Sequence, residues 1–342
     1  MSRILVTGGT GFIGSALVVH LVRDGHAVRV LDNNLRGSAD RLSAVASDVQ
    51  MIQADIRDAQ AVQDACRGVD GVWHLASVNG TEFFYSKPEL VLDIGVKGMI
   101  NVLDGCISQG VRELFLASSS EVYQTAPVVP TDETVPLSVP DPLNPRYSYG
   151  GAKIISELMT INYGRKYFDR AVIFRPHNVY GPDMGWEHVI PQFAMRMKEL
   201  SISHSGTIPF PIQGTGEETR AFIFIDDFID GLMLLREKGV HLGVYHIGTM
   251  EEVTINRLAS LVAAYFGRDI SLVPGSPAPG GTLRRCPDIA KLRRLGFSPK
   301  VPLAQGLRTT VKWYDENAHK QPQTDETLKA VSRGGAEARR NA

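Results

Sequence analysis

A tyrosine and a lysine stand four residues apart near the middle of the chain, at Tyr149 and Lys153. On a helix this spacing places both side chains on one face. An ammonium group beside a phenol favours the phenolate, which lowers the pKa of the tyrosine toward working pH. Such a tyrosine can take a proton from an alcohol while a hydride leaves the same carbon. The pair therefore predicts redox chemistry at a hydroxyl group, although the same spacing also arises by chance.

Three consecutive serines strengthen this interpretation. Ser118, Ser119 and Ser120 follow an apolar run at 114–117, so they lie at the carboxyl end of a predicted strand. Open α/β sheets bind their ligands at that end of the strands. A serine hydroxyl there can hydrogen-bond the reacting oxygen. No Gly-x-Ser-x-Gly sequence surrounds these serines, which argues against the nucleophile of a hydrolase.

A glycine-rich turn near the N-terminus fits a dinucleotide. Gly8, Gly11 and Gly14 follow an apolar strand at 4–6 and open a helical pattern. Glycines at this spacing allow a tight turn and bring the backbone and a helix N-terminus close to a pyrophosphate. Asp32 ends the next predicted strand, where a carboxylate hydrogen-bonds a ribose 2′-hydroxyl and repels a 2′-phosphate. We predict NAD rather than NADP, and only the nearby Arg36 argues against this choice.

The elements that must position these residues alternate between strands and helices. Apolar strand-like runs lie at 4–6, 27–31, 50–54, 71–75, 113–117 and 171–174. Helical patterns lie between them, near 12–24, 58–67, 88–109 and 148–168. This alternation predicts an α/β fold with a doubly wound (Rossmann) parallel sheet. Six prolines within 124–146 predict a long surface loop.

The second half of the chain is less regular and predicts a smaller lobe. A strand at 222–225, a helix near 226–238 and a strand at 244–247 are followed by a helix near 254–266. We expect an NAD-binding domain over 1–178 and about 220–248. A smaller C-terminal α/β substrate lobe is expected over 179–219 and about 249–318. The polar end of the chain, 320–342, is predicted to be disordered.

Composition narrows the classes of function. The 342 residues include 36 basic and 37 acidic side chains, for a formal net charge of -1. This balance argues against a general nucleic-acid or membrane-surface binder. Cys66, Cys106 and Cys286 show neither a disulfide framework nor zinc-ligand spacing, which fits a reducing compartment. No apolar run approaches the roughly 18 residues of a membrane span. We expect a cytoplasmic protein without a metal site.

Taken in order, these motifs resemble those of the extended short-chain dehydrogenases/reductases, in particular the NAD-dependent nucleotide-sugar epimerase/dehydratase family. The resemblance covers about residues 3–318 and rests on 7–14, Asp32, 74–76, 118–123, Tyr149 with Lys153, and 175–182. It implies that NAD stays tightly bound and is reduced and reoxidised within each turnover. It also implies that Tyr149 is the base, that Lys153 binds the nicotinamide ribose, and that Ser119 orients the sugar hydroxyl.

The resemblance also implies binding residues. The expected cofactor contacts are Gly8, Gly11, Phe12, Ile13, Gly14, Asp32, Asn33, Asp55, Ile56, Leu75, Ala76, Tyr149, Lys153 and Pro176. Asp55 could equally cap the following helix. The expected substrate contacts are Ser119, Asn178, Arg220 and Arg285, with the two arginines on the diphosphate because a guanidinium binds it bidentately. The implied partners are a nucleotide sugar, UDP-linked, and a second copy of the chain in a homodimer.

Several further positions carry weaker expectations. The family usually has Phe where this chain has His177, which we expect to pack as an aromatic ring near the cofactor. Arg284 is expected to be solvated. The segments 78–87 and 186–188 are candidates for the substrate pocket by position, or for ordinary loop packing. His188 lacks partners at metal-ligand spacing.

The residues after Ser119 bear on the reaction. Related 4,6-dehydratases carry an acid at the position of Ser120, so dehydration is disfavoured. Glu121, within Ser-Glu-Val-Tyr, and Arg220 resemble residues of nucleotide-sugar decarboxylases of the UDP-glucuronate type. A 4-epimerase needs only Ser119, Tyr149 and Lys153, with Glu121 as a bystander. We favour a 4-epimerase working through a keto-sugar. A decarboxylase, a related dehydratase or reductase, and a non-catalytic dinucleotide-binding protein remain as alternatives.

Overall fold

The computed structural model describes residues 1–276 and 281–322. Its first strands and helices are β1 (Arg3–Thr7), α1 (Phe12–Arg23), β2 (Ala27–Asp32), β3 (Val49–Gln53), α2 (Ala59–Cys66), β4 (Gly71–His74), α3 (Thr81–Ser86), α4 (Pro88–Leu92), α5 (Gly98–Gln109), β5 (Glu113–Ala117), α6 (Ser148–Tyr167) and β6 (Arg170–Pro176). The later ones are β7 (Val179–Tyr180), α7 (Val189–Ser203), β8 (Ile208–Ile212), β9 (Thr219–Ala221), β10 (Ile223–Phe224), α8 (Ile225–Lys238), β11 (Gly243–Ile247), β12 (Glu252–Thr254), α9 (Ile255–Tyr265), β13 (Ile270–Pro274), β14 (Arg284–Arg285), α10 (Ala290–Arg293) and α11 (Leu303–Glu316).

Seven parallel strands form the main sheet, in the order β11-β6-β5-β4-β1-β2-β3. The order reverses between β1 and β4, so the carboxyl ends of these two strands open a crevice at which doubly wound sheets bind ligands. Apolar side chains of the strands are buried on both faces, with Val6 packed in one core cluster and Leu5 in the other. The predicted doubly wound α/β fold is confirmed.

The helices cover both faces of the sheet. α1 packs against α8 on one side, and α2 packs against α5 on the other. The predicted helix over 88–109 is instead α4 and α5 joined by a π-helical turn at Asp93–Lys97. The Pro-rich segment is largely loop, as predicted, and ends in a 3-10 turn at Pro145–Tyr147 that leads directly into α6.

The segment after residue 218 differs in detail from the prediction. Two short strands replace the single strand expected at 222–225: β9 pairs with β12 and β14, and β10 pairs with β7. The helix α8 begins already at Ile225, because Asp226 and Asp227 in its first turn favour a helix N-terminus. β11 returns to the edge of the main sheet beside β6. The division of the chain into two lobes stays a prediction.

Two further expectations concern the C-terminal tail and membrane-spanning segments. The predicted disordered tail lies, from residue 323 onward, outside the described residues, while Ala318–Lys320 forms a 3-10 turn. Within 1–276 and 281–322, no helix combines the length and the apolar character needed to cross a membrane.

Candidate active site

The crevice at the carboxyl ends of the strands contains a cavity of about 400 Å³. Its wall combines residues from distant parts of the sequence. The predicted site residues on this wall are Gly8, Gly11, Phe12, Ile13, Gly14, Leu75, Ser119, Glu121, Tyr149, Lys153, Pro176, Asn178 and Arg285. A smaller adjoining cavity of about 120 Å³ is lined by the other predicted cofactor residues, Asp32, Asn33, Asp55, Ile56 and Ala76.

The glycine turn presents backbone to the larger cavity. Gly8 adopts a φ of 73°, which favours glycine. A Cβ at Gly14 would collide with the Gly8 carbonyl oxygen, so the turn and the start of α1 pack too closely for any side chain there. No side chain caps the N-terminus of α1. The first N–H groups of a helix have no intrahelical partner. This uncapped terminus fits the pyrophosphate of a dinucleotide.

The smaller cavity carries the acidic groups expected at an adenosine. Backbone N–H groups of Thr10 and Asn34 donate to the Asp32 carboxylate at 3.0 and 2.9 Å, which fixes its orientation. Burial would raise the pKa of Asp55, but hydrogen bonds and charge from Arg57 outweigh burial and lower it. α2 is capped by Asp58 rather than by Asp55. Both Asp55 oxygens accept hydrogen bonds from Arg57 and Asn33, so a cofactor contact at Asp55 stays a prediction.

Tyr149 and Lys153 lie on α6, one turn apart and both buried. The Tyr149 ring stacks on Phe84 at 5.1 Å between ring centroids, and its hydroxyl is hydrogen-bonded with Ser119 and Ser77. Burial raises the pKa of Tyr149 to about 12, and these hydrogen bonds offset burial only in part. The Lys153 ammonium lies 5.7 Å from the ring centroid and donates to the Ala117 carbonyl at 2.7 Å. The sequence-based expectation of a lowered tyrosine pKa is therefore not met by these contacts.

Glu121 faces the cavity and forms an ion pair with Arg285 at 2.6 Å. It follows the end of β5, where the Ser119 hydroxyl accepts the Glu121 N–H at 3.1 Å. Burial would raise the pKa of the Glu121 carboxyl, but Arg285, together with Arg146 and Arg220, outweighs burial and lowers it. The two residues thus form a partly buried ion pair on the wall of the cavity that also holds Ser119 and Tyr149.

The two arginines expected on the diphosphate differ in position. Arg285 lies on the cavity wall, whereas Arg220 does not line it. The Arg220 guanidinium donates to the backbone carbonyls of Thr219 and Thr282 at 2.7 and 2.8 Å. Burial, reinforced by the charge of Arg285, lowers the pKa of Arg220 to about 10. Arg284 forms an ion pair with Glu252 at 2.6 Å, so it is not simply solvated as expected.

Asn178 is held on the cavity wall by an unusual backbone conformation. Its φ is 43°, and its side-chain amide donates to the Ala221 carbonyl at 3.0 Å. The neighbouring His177 is fully buried and does not line the cavity; its ring packs edge-on against His246 at 4.6 Å. Burial holds the pKa of His177 well below its usual range. His177 is thus a packed ring, and its expected nearness to the cofactor stays a prediction.

The two pocket candidates chosen by position contribute in part. Asn79, Gly80 and Phe84 from the first segment line the cavity, as do Glu187 and His188 from the second. Trp186 instead packs against Trp313 and Tyr314. Burial lowers the pKa of His188, as does the charge of Arg36. Within the described part of the chain, no cluster of histidine, cysteine and acidic residues could hold a metal ion.

Sequence reasoning missed three polar residues of the wall, Arg41, Ser77 and Arg146. Ser77 follows the strand end at 74–76, where its hydroxyl reaches Tyr149. Arg146 stands three residues before Tyr149, and this helical spacing was the available signal. The proline-rich segment before it concealed the helical turn that makes the spacing meaningful.

Known proteins with several different activities are similar to this chain in fold and in sequence. UDP-glucuronic acid decarboxylase 6 of Arabidopsis thaliana is 33% identical over 314 residues, which cover 89% of this chain and 86% of the relative. The solved UDP-glucose 4-epimerase of Thermotoga maritima, with UDP-glucose, superposes with a TM-score of 0.82 at 29% identity, covering 92% and 99% of the two chains. MoeE5 in complex with UDP-glucuronic acid and NAD superposes with a TM-score of 0.77 at 26% identity, covering 92% and 99%.

The sequence model of one family spans most of the chain. It is described as the NAD dependent epimerase/dehydratase family and matches residues 4–248. The match includes the glycine turn, the serines after β5, and Tyr149 with Lys153. The expected cofactor is thereby confirmed at the level of the family, whose description names NAD, and the residues around the two cavities fit it. The chain belongs to the NAD-dependent epimerase/dehydratase family of nucleotide-sugar enzymes.

Proposed function

We propose that the protein decarboxylates a UDP-linked hexuronic acid, of the UDP-glucuronate type, by transient oxidation at carbon 4 of the sugar. The observation that carries the proposal is the Glu121–Arg285 ion pair of 2.6 Å on the wall that also holds Ser119 and Tyr149. An enzyme that only oxidises and reduces one hydroxyl has no need of a partly buried, ion-paired carboxylate there. The similarity to UDP-glucuronic acid decarboxylase 6 supports the same reaction.

The oxidation depends on Tyr149, Ser119 and Lys153. Bound NAD would supply the acceptor, and later the donor, of the hydride that leaves the sugar carbon. Tyr149 takes the hydroxyl proton, and the Ser119 hydroxyl orients the same oxygen. A tyrosine with a pKa near 12 is a poor source of phenolate, so the positive charges of the loaded site must favour loss of its proton. Lys153, one helical turn away, is the chain's own contribution to that charge.

The 4-ketone makes the sugar carboxylate labile, because the electron pair of the breaking bond between carbon 5 and the carboxyl carbon can pass to the ketone oxygen. Carbon dioxide leaves, and a proton then adds at carbon 5. The hydroxyls of Tyr149 and Ser119 donate to the oxygen on which negative charge develops, and such donors stabilise it most where water is excluded. Glu121, kept ionised by Arg285, contributes with that arginine to the polar wall at which the sugar carboxylate becomes neutral carbon dioxide.

A 4-epimerase is the second candidate. The sequence favours it, and the similarity to the Thermotoga maritima UDP-glucose 4-epimerase supports it. It requires only Ser119, Tyr149 and Lys153, together with room for the ketose to turn. Glu121 would then contribute to the architecture of the wall and not to the reaction. Both candidates share the oxidation step, so they differ in the fate of the keto-sugar.

Mass spectrometry of the products separates these candidates. The NAD-loaded protein is incubated with UDP-glucuronate and, in parallel, with UDP-glucose. A product lighter by one carbon dioxide, formed only from UDP-glucuronate, supports the decarboxylase. A product of unchanged mass and altered retention identifies an epimerase, and loss of water identifies a dehydratase.

The variant Glu121→Gln tests the role of this carboxylate. For a decarboxylase we expect carbon dioxide release to fall by roughly 100-fold or more, because the group acts in the chemical step. Reduction of bound NAD by UDP-glucuronate, which reports the oxidation step alone, should survive. Glu113→Gln is the matched control: Glu113 pairs with Arg170 at 2.5 Å at the opposite end of β5. Equal losses in both variants would contradict a chemical role for Glu121.

The remaining partner and location assignments are also proposals. We propose a homodimer, as the family resemblance implies, and a cytoplasmic location. Size-exclusion chromatography with light scattering tests the first, and cell fractionation tests the second.

A further inference from the structure

Five cationic side chains line the large cavity. Four of them already have partners: Arg36 with Glu187 at 3.0 Å, Arg41 with Asp183 at 2.7 Å, Arg285 with Glu121 at 2.6 Å, and Lys153 with the Ala117 carbonyl at 2.7 Å. The fifth is Arg146. Within 1–276 and 281–322, its side chain has neither an ion-pair partner nor a hydrogen-bond acceptor, and its Nε is buried. A guanidinium carries five donors and never loses its charge, so a partly buried one whose Nε lacks an acceptor is costly.

The local backbone directs Arg146 toward the reacting end of the cavity. The 3-10 turn Pro145–Tyr147 is capped by Asn144, whose side-chain oxygen accepts the Arg146 N–H at 3.0 Å. The turn continues into α6, so Arg146 and Tyr149 are three residues apart on a continuous helical path. Side chains at this spacing lie on the same face. Arg146 thus projects beside the residue that takes the hydroxyl proton.

The charge balance at this end of the cavity leaves room for one more anion. Arg146, Arg220 and Arg285 all lower the pKa of Glu121, so all three act on the same carboxylate. Arg285 is neutralised by Glu121, and Arg220 is satisfied by backbone carbonyls away from the wall. Arg146 remains as an unneutralised cation on the wall. A ligand carboxylate would supply both the charge and the paired acceptors that a guanidinium fits.

We propose that Arg146 binds the sugar carboxylate of the substrate and so determines the preference for a UDP-linked hexuronic acid over a neutral UDP-linked hexose. This inference rests on the proposed function. Carbon 5, which bears the carboxylate, is bonded to carbon 4, whose hydroxyl Tyr149 deprotonates. A guanidinium one turn before Tyr149 is therefore placed for the neighbouring substituent. Since an ion pair with the ground-state carboxylate is lost with carbon dioxide, Arg146 contributes to binding more than to the rate of the chemical step.

Calorimetric titration of the NAD-loaded full chain tests the assignment with three ligands: UDP-glucuronate, UDP-glucose and UDP. The wild-type protein should bind UDP-glucuronate more tightly than UDP-glucose. In Arg146→Gln, affinity for UDP-glucuronate should fall by about 10- to 100-fold, the range for a charge-assisted hydrogen bond. Affinities for UDP-glucose and UDP should stay within about threefold of the wild-type values. Arg146→Lys should recover part of the loss, because it restores the charge without the planar fork.

Kinetics and a control variant complete the test. In turnover of UDP-glucuronate, Arg146→Gln should raise KM with a much smaller effect on kcat, which a merely structural loss would not produce. Arg112→Gln, which removes an exposed arginine paired with Asp169 far from the cavity, should leave all three affinities unchanged.

The possible failures can be told apart. If the wild-type protein binds UDP-glucuronate no more tightly than UDP-glucose, the proposed hexuronate function fails and the assignment of Arg146 fails with it. If the wild type discriminates and Arg146→Gln discriminates equally, the function stands and the assignment is wrong. If Arg146→Gln weakens binding of UDP alone by the same factor, Arg146 binds the diphosphate, which also overturns the assignment.

Discussion

Lys153 differs from an exposed lysine because its ammonium is fully buried. Burial lowers its pKa to about 8, and the negative charge of Glu157 only partly opposes this shift. Its donor bond to Ala117 anchors the side chain under the serines after β5. The charge that should help Tyr149 lose its proton is therefore present below about pH 8 and is lost above it. We therefore expect the acid–base behaviour of the site to depend on Lys153 as well as on Tyr149.

This lysine predicts opposite effects of pH on activity and on stability. The folded-state pKa of about 8 lies below the ordinary value of 10.5, so between these values the unfolded chain binds more protons than the folded one. Stability contributed at this site therefore rises with pH from about 8 to about 10.5, by of order a few kcal/mol. Over the same range, turnover should fall as the ammonium is lost.

Urea unfolding and initial rates at a series of pH values check this prediction, with Lys153→Met as the reference. The unfolding free energy of the wild-type protein should rise relative to that of Lys153→Met as the pH increases through this range, because only the wild type carries the titrating lysine. A difference that stays constant from neutral to alkaline pH would show that Lys153 titrates normally.

At the scale of elements, the Glu121–Arg285 pair depends on contacts between the start of the long loop and the strand β14. Gln124 has a φ of 51°, and its side-chain amide donates to the Glu121 carbonyl at 2.6 Å. The Thr282 hydroxyl donates to the Gln124 carbonyl at 3.2 Å and accepts from Arg285 at 3.1 Å. Thr282 and Gln124 thus connect the backbone of Glu121 to the guanidinium of Arg285. A non-glycine residue at positive φ is a sign that surrounding contacts impose the conformation.

Thr282→Val should remove the hydroxyl that accepts from Arg285 while preserving the shape of the side chain at position 282. The variant loses two hydrogen bonds, each worth about 1 kcal/mol, so we expect product formation to slow by roughly 5- to 30-fold. Thr282→Ser retains the hydroxyl and should restore most of the rate. Single-turnover measurements with UDP-glucuronate compare the two variants. A similar loss in Thr282→Ser would mean that the methyl packing, and not the hydroxyl, supports the site.

The sequence can predict features that depend on local patterns, but not contacts between distant irregular segments. The glycine turn and the Tyr149–Lys153 pair are local patterns, and the strand–helix alternation fixes where the sheet presents them, so both are predictable. Glu121 and Arg285 are separated by 164 positions, and their contact depends on irregular segments with no period to follow. The pKa of Tyr149 depends on burial by Phe84 and on the direction in which Lys153 donates. These properties require the packed structure.

At the scale of the whole molecule, charged side chains occur both on the cavity wall and in the interior behind it. The chain is nearly neutral, with a formal net charge of -1, yet its cavity is lined by several cations. Behind the cavity, Glu157 on α6 and Arg175 on β6 form an ion pair of 2.6 Å whose side chains are only 3% and 4% exposed. Glu157 also accepts from the Ser118 hydroxyl, and Arg175 donates to the Tyr123 hydroxyl. This pair joins α6 to the main sheet.

The buried pair should be costly to break but tolerant of replacement as a unit. Removing one partner leaves an uncompensated buried charge, so Glu157→Leu or Arg175→Met alone should destabilise the protein by about 3–5 kcal/mol. The double variant should be less destabilised than the sum of the two single changes, because neither charge then remains. Urea unfolding of the four proteins gives the coupling energy directly.

The exposed pair Arg112–Asp169, with side chains 69% and 60% exposed, provides the comparison, and its removal should change stability little. Additive effects at Glu157 and Arg175 would mean that each charge is satisfied by other contacts, and that the helix and the sheet are held together by apolar packing alone.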